Sequence, residues 1–252
     1  MKHSFLFTVF YLFVINVFSQ DYTHSLEGIN KVNVSSETTI VIKNHNKNEF
    51  LISEKENIRT TDKAKGLKAV FGQGNDNTSF GVEVEKDGSI LKVKGLRDRL
   101  AKDLIIYVPK EMNVSLEVPS NNDIYINDLA SEIEAKTNNG NIILKSVTGP
   151  VIIENNNGNV IINFDEIDQS LPTSIIASKG DIDISLPSDT PANLTLKTPR
   201  GEFYTDFDLE LTQQSLDDKN NRKKRPIITK LNNGGVAITL IASYGNIYLR
   251  KK

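Results

Sequence analysis

Apolar and polar residues alternate along most of this chain, with a period of two rather than 3.6. Val32/Val34, Ile40/Ile42, Phe50/Ile52, Val82/Val84 and Leu91/Val93 each alternate with polar partners, as do Val114/Leu116/Val118. Period-two runs bounded by Asn, Gly, Pro and Asp predict short half-buried strands. Lys86-Asp87-Gly88 predicts a hairpin turn between two of them, and Pro109 and Pro119 each close a strand, because proline cannot donate to a ladder. Leu96 to Lys102 is the one segment with the look of a helical turn, and it reads as a connector. Lys63 to Asn77 reads as a loop, with Gly72 and Gly74 followed by no helix start that would make a phosphate cradle.

From Asn122 onward the pattern also repeats. Asn139-Gly140-Asn141-Ile142-Ile143-Leu144 returns as Asn157-Gly158-Asn159-Val160-Ile161-Ile162 and as Lys179-Gly180-Asp181-Ile182-Asp183-Ile184. Looser copies surround Gly201 and Gly245. The glycines at 140, 158, 180 and 201 are 18, 22 and 21 residues apart. A turn that recurs once per coil before a β-branched run predicts a parallel β-solenoid. The expected fold is therefore all-β, with coils of about 20 residues and a β-rich segment before them. Asn122, Gly140, Gly158, Gly180, Gly201 and Gly245 are the expected structural turns, with Asn122 chosen for its tolerance of left-handed backbone. Asn138 and Asn139 are expected to form amide ladders with Asn155, Asn156 and Asn157. From Gly201 to Gly245 is 44 residues, which reads as two coils carrying a charged insertion. Arg250-Lys251-Lys252 then reads as a cation cluster that blunts the open edge of a terminal coil.

The ends refine the organisation. Met1-Lys2-His3, the uncharged Ser4–Phe18 stretch and small residues before Gln20 predict a signal peptide over 1–19, too short to span a bilayer. A β-rich segment over 20–119 follows, then the repeats over 120–252 with the insertion at 212–226. The expected location is outside the cytoplasm: periplasm, outer surface or medium. There are no cysteines, so disulfides and cysteine lipid anchoring are excluded. Net charge is −2, which argues against a nucleic-acid binder.

The step Tyr107-Val108-Pro109-Lys110 and the Asn-Gly-Asn/Asp-Ile/Val turns resemble bacterial adhesin-like β-solenoids, the autotransporter-adhesin head or GIN domain and its β-strand-repeat relatives. Val17-Phe18-Ser19-Gln20 resembles the signal endings of Bacteroidota exports. The resemblance implies an envelope or extracellular β-helix without assigned catalytic residues.

Chemistry is sparse. Asp181 and Asp183 share one strand face about 7 Å apart, a spacing diagnostic of neither retaining nor inverting glycoside hydrolysis. Their alternation with Ile182 and Ile184 makes them a solvated face. Asp165, Glu166 and Asp168 are the other acidic group. His24 and His45 lie outside the repeats and lack a Gly-x-Ser-x-Gly partner, so neither a serine triad nor a metal site is expected. Calcium-repeat turns would need an acid where Asn141 and Asn159 stand. No catalytic residue, metal or cofactor is expected. Arg222-Lys223-Lys224-Arg225 is the candidate surface for an anionic group, and Tyr125, Tyr204, Tyr244 and Tyr248 are candidates for stacking on sugar rings. The expected function is a non-enzymatic envelope or cell-surface module for adhesion, binding or structure, with a surface glycan or an envelope protein as partner. The alternative is a carbohydrate-active β-helix enzyme, a polysaccharide hydrolase or lyase. Far-ultraviolet circular dichroism should show a β-rich spectrum; more than roughly a quarter helix would contradict this reading.

Overall fold

The computed structural model describes residues 21–53, 67, 70–97, 102–209 and 226–252. The expected signal peptide and the cations Arg222, Lys223, Lys224 and Arg225 lie outside the described residues, as does most of the Leu96–Lys102 connector. The described residues form twenty strands and no helix.

The strands of the N-terminal segment are β1 (Tyr22–Ser25), β2 (Lys31–Ser35), β3 (Ile40–Asn44), β4 (Glu49–Ile52), β5 (Val82–Asp87), β6 (Ile90–Gly95), β7 (Leu104–Val108) and β8 (Asn113–Val118). Next come β9 (Ile124–Leu129), β10 (Ile133–Asn139), β11 (Ile142–Val147), β12 (Val151–Asn157), β13 (Val160–Phe164), β14 (Thr173–Lys179) and β15 (Ile182–Leu186). The last are β16 (Ala192–Lys197), β17 (Phe203–Thr205), β18 (Ile227–Leu231), β19 (Val236–Ala242) and β20 (Ile247–Lys251). They make two ten-stranded, mostly parallel sheets. Sheet A runs β1-β4-β7-β3-β9-β11-β13-β15-β20-β17, and sheet B runs β18-β16-β19-β14-β12-β10-β8-β2-β6-β5.

Alternation puts one face of each sheet inside. Ile40, Ile124, Ile142, Val160, Ile182 and Ile247 stack in register as one buried column of sheet A. Ile42, Ile126, Leu144, Ile162, Ile184 and Leu249 form the next. Val114, Ile133 and Val151 face them from sheet B. Each fully buried aliphatic side chain contributes about 1.5–3 kcal/mol, which lets a chain without disulfides hold this shape.

The coils do not stack in chain order, which corrects two expectations. The pair β19 and β20, one strand in each sheet, is inserted between earlier strands: β19 lies between β14 and β16, and β20 between β15 and β17. The 44-residue gap therefore does not mark two further coils, because Gly245 sits directly on Gly180 and Gly201 sits on Gly245. Nor do the final cations cap an open edge, since β20 is paired on both sides. At the other end β2 lies between β6 and β8, and β3 between β7 and β9. The sheets thus run without a break from the 20–119 segment into the 120–252 repeats, and strands from both ends of the chain sit inside the stack.

Glycine is required at the turns by close approach. A Cβ on Gly140 would stand 2.1 Å from the Asn122 carbonyl oxygen, and one on Gly158 would stand 2.1 Å from that of Gly140. The same contact recurs at 2.0 Å from Gly180 to Gly158, 1.9 Å from Gly245 to Gly180, and 2.0 Å from Gly201 to Gly245. Only Gly158 and Gly180 in this column also have left-handed φ, at 133° and 142°. Asn122 does not have positive φ, so the conformational reason expected for it is wrong. Its turn lies over Glu37, where a side chain fits: Nδ2 of Asn122 donates to the Glu37 carbonyl at 2.7 Å.

Gly140→Ala should therefore lose about 1–3 kcal/mol through overpacking, although its φ lies outside the left-handed region. Gly72→Ala, where a Cβ meets nothing within 4 Å, serves as the control. Equal urea midpoints for the two variants would contradict the close-approach account.

Candidate functional site

The residue after each turn glycine carries an oxygen-bearing side chain, and the stack uses those of Asn141, Asn159, Asp181 and Asn246 as acceptors. The Asn141 amide donates to Oδ1 of Asp123 at 2.6 Å, and the Asn159 amide to Oδ1 of Asn141 at 3.0 Å. The Asp181 amide donates to Oδ1 of Asn159 at 2.9 Å, and the Asn246 amide to Oδ1 of Asp181 at 2.7 Å. The Glu202 amide completes the series on Oδ1 of Asn246 at 2.9 Å. The partners are 18, 18, 22, 65 and 44 residues apart in sequence. This ladder satisfies turn amides that strand pairing leaves over. Only Asn and Asp place a carbonyl-type acceptor two bonds from Cβ, the reach that one strand spacing demands. The residues were visible in the sequence as candidate ligands or a solvated face; the signal for a ladder was their fixed place after each glycine.

A second ladder runs beside it. Nδ2 of Asn156 donates to Oδ1 of Asn138 at 2.9 Å, and Nδ2 of Asn157 to Oδ1 of Asn139 at 2.6 Å. On the inner side of the turn, Thr137 Oγ1 donates to the Asn122 carbonyl, Asn155 Nδ2 to that of Gly140 and Thr198 Oγ1 to that of Gly245. The expected amide stack at this corner is thus present and extends into the core.

The two carboxylates with the best claim to chemistry both hold the inserted C-terminal strand. Asp181 takes the Asn246 amide. Asp183 receives Arg250 in a bidentate pair, Nε to Oδ1 at 2.7 Å and Nη2 to Oδ2 at 2.9 Å. Hydrogen bonding and charge from Asp183 raise the Arg250 guanidinium further above its usual range. The other acidic group is divided as well. Asp165 pairs with Nζ of Lys252, and Asp168 accepts the Ser170 amide at 2.6 Å. Glu166 is exposed. These acids do not converge on a groove.

The histidines are placed away from them. His24 lies on β1 at the far edge of sheet A from β15, with Nδ1 2.7 Å from the Ser25 carbonyl. His45 follows β3, with Nε2 2.7 Å from the Glu49 carbonyl. Among the described residues, no three His, Asp or Glu side chains come together as a metal cluster. One recess is lined by Ser36, Thr38, Arg97, Lys102 and Asp103, among other residues. Burial lowers the pKa of Arg97, opposed by Asp76, and no pair of carboxylates faces it.

The tyrosine rings each have a neighbour on the surface, although Tyr204 and Tyr244 stay exposed. Tyr204 and Tyr248 stack on each other at 5.2 Å with an interplanar angle of 11°, and Arg250 lies over Tyr248. Arg200 covers Tyr244 at 4.2 Å. Tyr125 turns its hydroxyl to Asp123 at 2.9 Å.

Acid should loosen the C-terminal coil first. Hydrogen bonding from Lys252 holds the Asp165 carboxyl below its usual pKa. A depressed folded-state pKa contributes stability above the unfolded value near 3.9, and that contribution disappears as pH falls through the folded value. Asp165→Asn should therefore lower the melting temperature at pH 7 and make little difference at pH 2. A deficit that is equal at both pH values would contradict the assignment.

Comparison with known proteins gives a family. No curated protein matches the chain. A crystal structure of a putative cell adhesion protein from Clostridium sporogenes superposes with a TM-score of 0.46 at 10% identity, covering 93% of this chain and 100% of that one. A putative adhesin from Bacteroides fragilis gives 0.37 at 13% identity, covering 92% and 96%. The family that matches is Toastrack DUF4097, over residues 115–250. That stretch takes in the glycine column, both ladders and the inserted coil, and the chain belongs to the Toastrack DUF4097 family.

Proposed function

We propose that the chain is a non-enzymatic, exported β-solenoid module of the envelope or cell surface, with coils of about 20 residues, serving adhesion, binding or structure. One observation carries this reading: Asp181 and Asp183, the carboxylates with the best claim to catalysis, are taken up by the amide and guanidinium of the adjoining coil. General acid–base catalysis needs a carboxylate within reach of substrate. Here the same oxygens hold neighbouring strands. The charged N-terminus followed by an uncharged apolar stretch supports export, and the turn motifs support kinship with the GIN adhesin heads. The partner would be a surface glycan or an envelope protein. Arg222, Lys223, Lys224 and Arg225 are the residues proposed for an anionic group on it.

The test is to incubate the purified chain with pectin, alginate and bacterial polysaccharides and assay reducing ends and unsaturated products. No turnover is expected, and Asp183→Asn should change the melting temperature only slightly, since exposed ion pairs contribute little. Turnover that disappears in Asp181→Asn or Asp183→Asn at unchanged melting temperature would put the polysaccharide enzyme first. A glycan array on the same protein separates a sugar partner from a protein one.

A further inference from the structure

The outer face of sheet A has an order that solvation alone does not require. One row crosses eight strands in register: Ile105, Val41, Tyr125, Ile143, Ile161, Asp183, Tyr248 and Tyr204. Seven of the eight are apolar or aromatic, and in a parallel sheet such outward apolar positions are ordinarily covered by a further layer. Ile161 is 44% exposed and Tyr204 51%. The one charge in the row, Asp183, is neutralised by Arg250.

The rows on either side carry opposite charge. Two residues earlier on the strands runs the ladder row of Asp123, Asn141, Asn159, Asp181, Asn246 and Glu202, with three acids and no base. Two residues later runs Lys43, Asn127, Lys145, Asn163, Ser185, Arg250 and Asp206, with three bases, of which Arg250 is held by Asp183, and one acid at the β17 end. The face is therefore an apolar stripe with an acidic margin and a basic margin.

The geometry points to a second copy of this chain as the occupant of that face. Consider two such faces packed together about 10 Å apart. A twofold axis lying along the apolar stripe exchanges the margins, so apolar meets apolar and the acidic row meets the partner's basic row along β3, β9 and β11, where Lys43 and Lys145 stand; at the β17 end Glu202 faces the copy's Asp206. A twofold axis along the strands instead sets acid on acid and base on base. Self-complementarity of one patch about a twofold axis is the requirement of an isologous dimer, and this face meets it in one orientation. Asp123 then lies opposite the copy's Asn127, between that copy's Lys43 and Lys145. A side chain of the central stripe lies on the axis and faces its own counterpart. The inference stands apart from the partner proposed above, because it uses none of the residues proposed for that partner.

The chain lacks cysteine, so a single cysteine reports this geometry without background. Ile143→Cys and Ile161→Cys should each give a covalent dimer on mild oxidation or with a short bis-maleimide. Ile152→Cys, equally exposed on sheet B at 42%, should not. Sedimentation velocity of the unmodified chain should show a dimer that weakens with salt. Ile143→Lys/Ile161→Lys and Lys43→Glu/Lys145→Glu should each weaken it by about tenfold or more at unchanged melting temperature. Asp123→Asn/Asp181→Asn, which keeps both ladder acceptors, should weaken it in the same direction. A chain that stays monomeric at its highest soluble concentration would overturn the inference. So would cross-linking at Ile152→Cys with none at Ile143→Cys or Ile161→Cys.

Discussion

The approach of one turn to the next, close enough that a carbonyl oxygen occupies the place of a Cβ, is the contact on which this structure depends. Five glycines accept it in succession, and Asn122 ends the column where the space below admits a side chain. Because the turns nest, the next residue along can reach the adjoining coil with an Asn or Asp oxygen. The inner residues Thr137, Asn155 and Thr198 reach the turn carbonyls from the other side. Backbone groups at a corner, which a sheet leaves unpaired, are thus satisfied coil by coil. The apolar columns supply the larger share of free energy, and the corner fixes their register, since a one-residue slip would turn the core isoleucines outward.

Much of this was legible in the sequence. Period-two alternation gave the strands, and the recurring Asn-Gly-Asn phrase gave both the parallel stack and the corner where Asn156 meets Asn138. The order of the coils was not legible. Spacing along the chain says that a coil forms, but says nothing about which coil it lies against. Gly245 could follow Gly201 or lie beneath it. What decides is complementarity: Asp181 and Asp183 match the Asn246 amide and Arg250. The same blindness made Asp181 and Asp183 look like a carboxylate pair, because a ladder acceptor and a catalytic acid have the same side chain and differ only in what the neighbouring coil presents. The reason for Asn122 was also hidden, since conformation and close approach favour overlapping sets of residues.

The inserted coil links architecture to function. With β20 between β15 and β17, the C-terminal residues help to build sheet A, and Tyr248 and Arg250 enter the outward rows beside residues from much earlier in the chain. The acidic margin exists because the ladder uses acids at three of its six positions. The basic margin exists because the positions four residues later, on the same face, carry Lys43, Lys145 and Arg250. A surface of this kind is as fixed as the stack beneath it, so binding through it costs little ordering of loops. Side chains committed to holding neighbouring coils are poor candidates for proton transfer, and well suited to keep such a surface rigid.

Amide hydrogen exchange read by NMR tests the nested corner most directly. The amides of Asn141, Asn159, Asp181, Asn246 and Glu202 sit at a partly exposed turn, and side-chain acceptors one coil away are their recorded partners. The account predicts that they exchange as slowly as the strand amides around them, by unfolding of the stack rather than by local opening. Protection of Asn246 carries particular weight, since its acceptor on Asp181 exists only if the C-terminal coil is inserted where described. Exchange of these five amides at the rate of an unprotected turn, with the strands still protected, would contradict it.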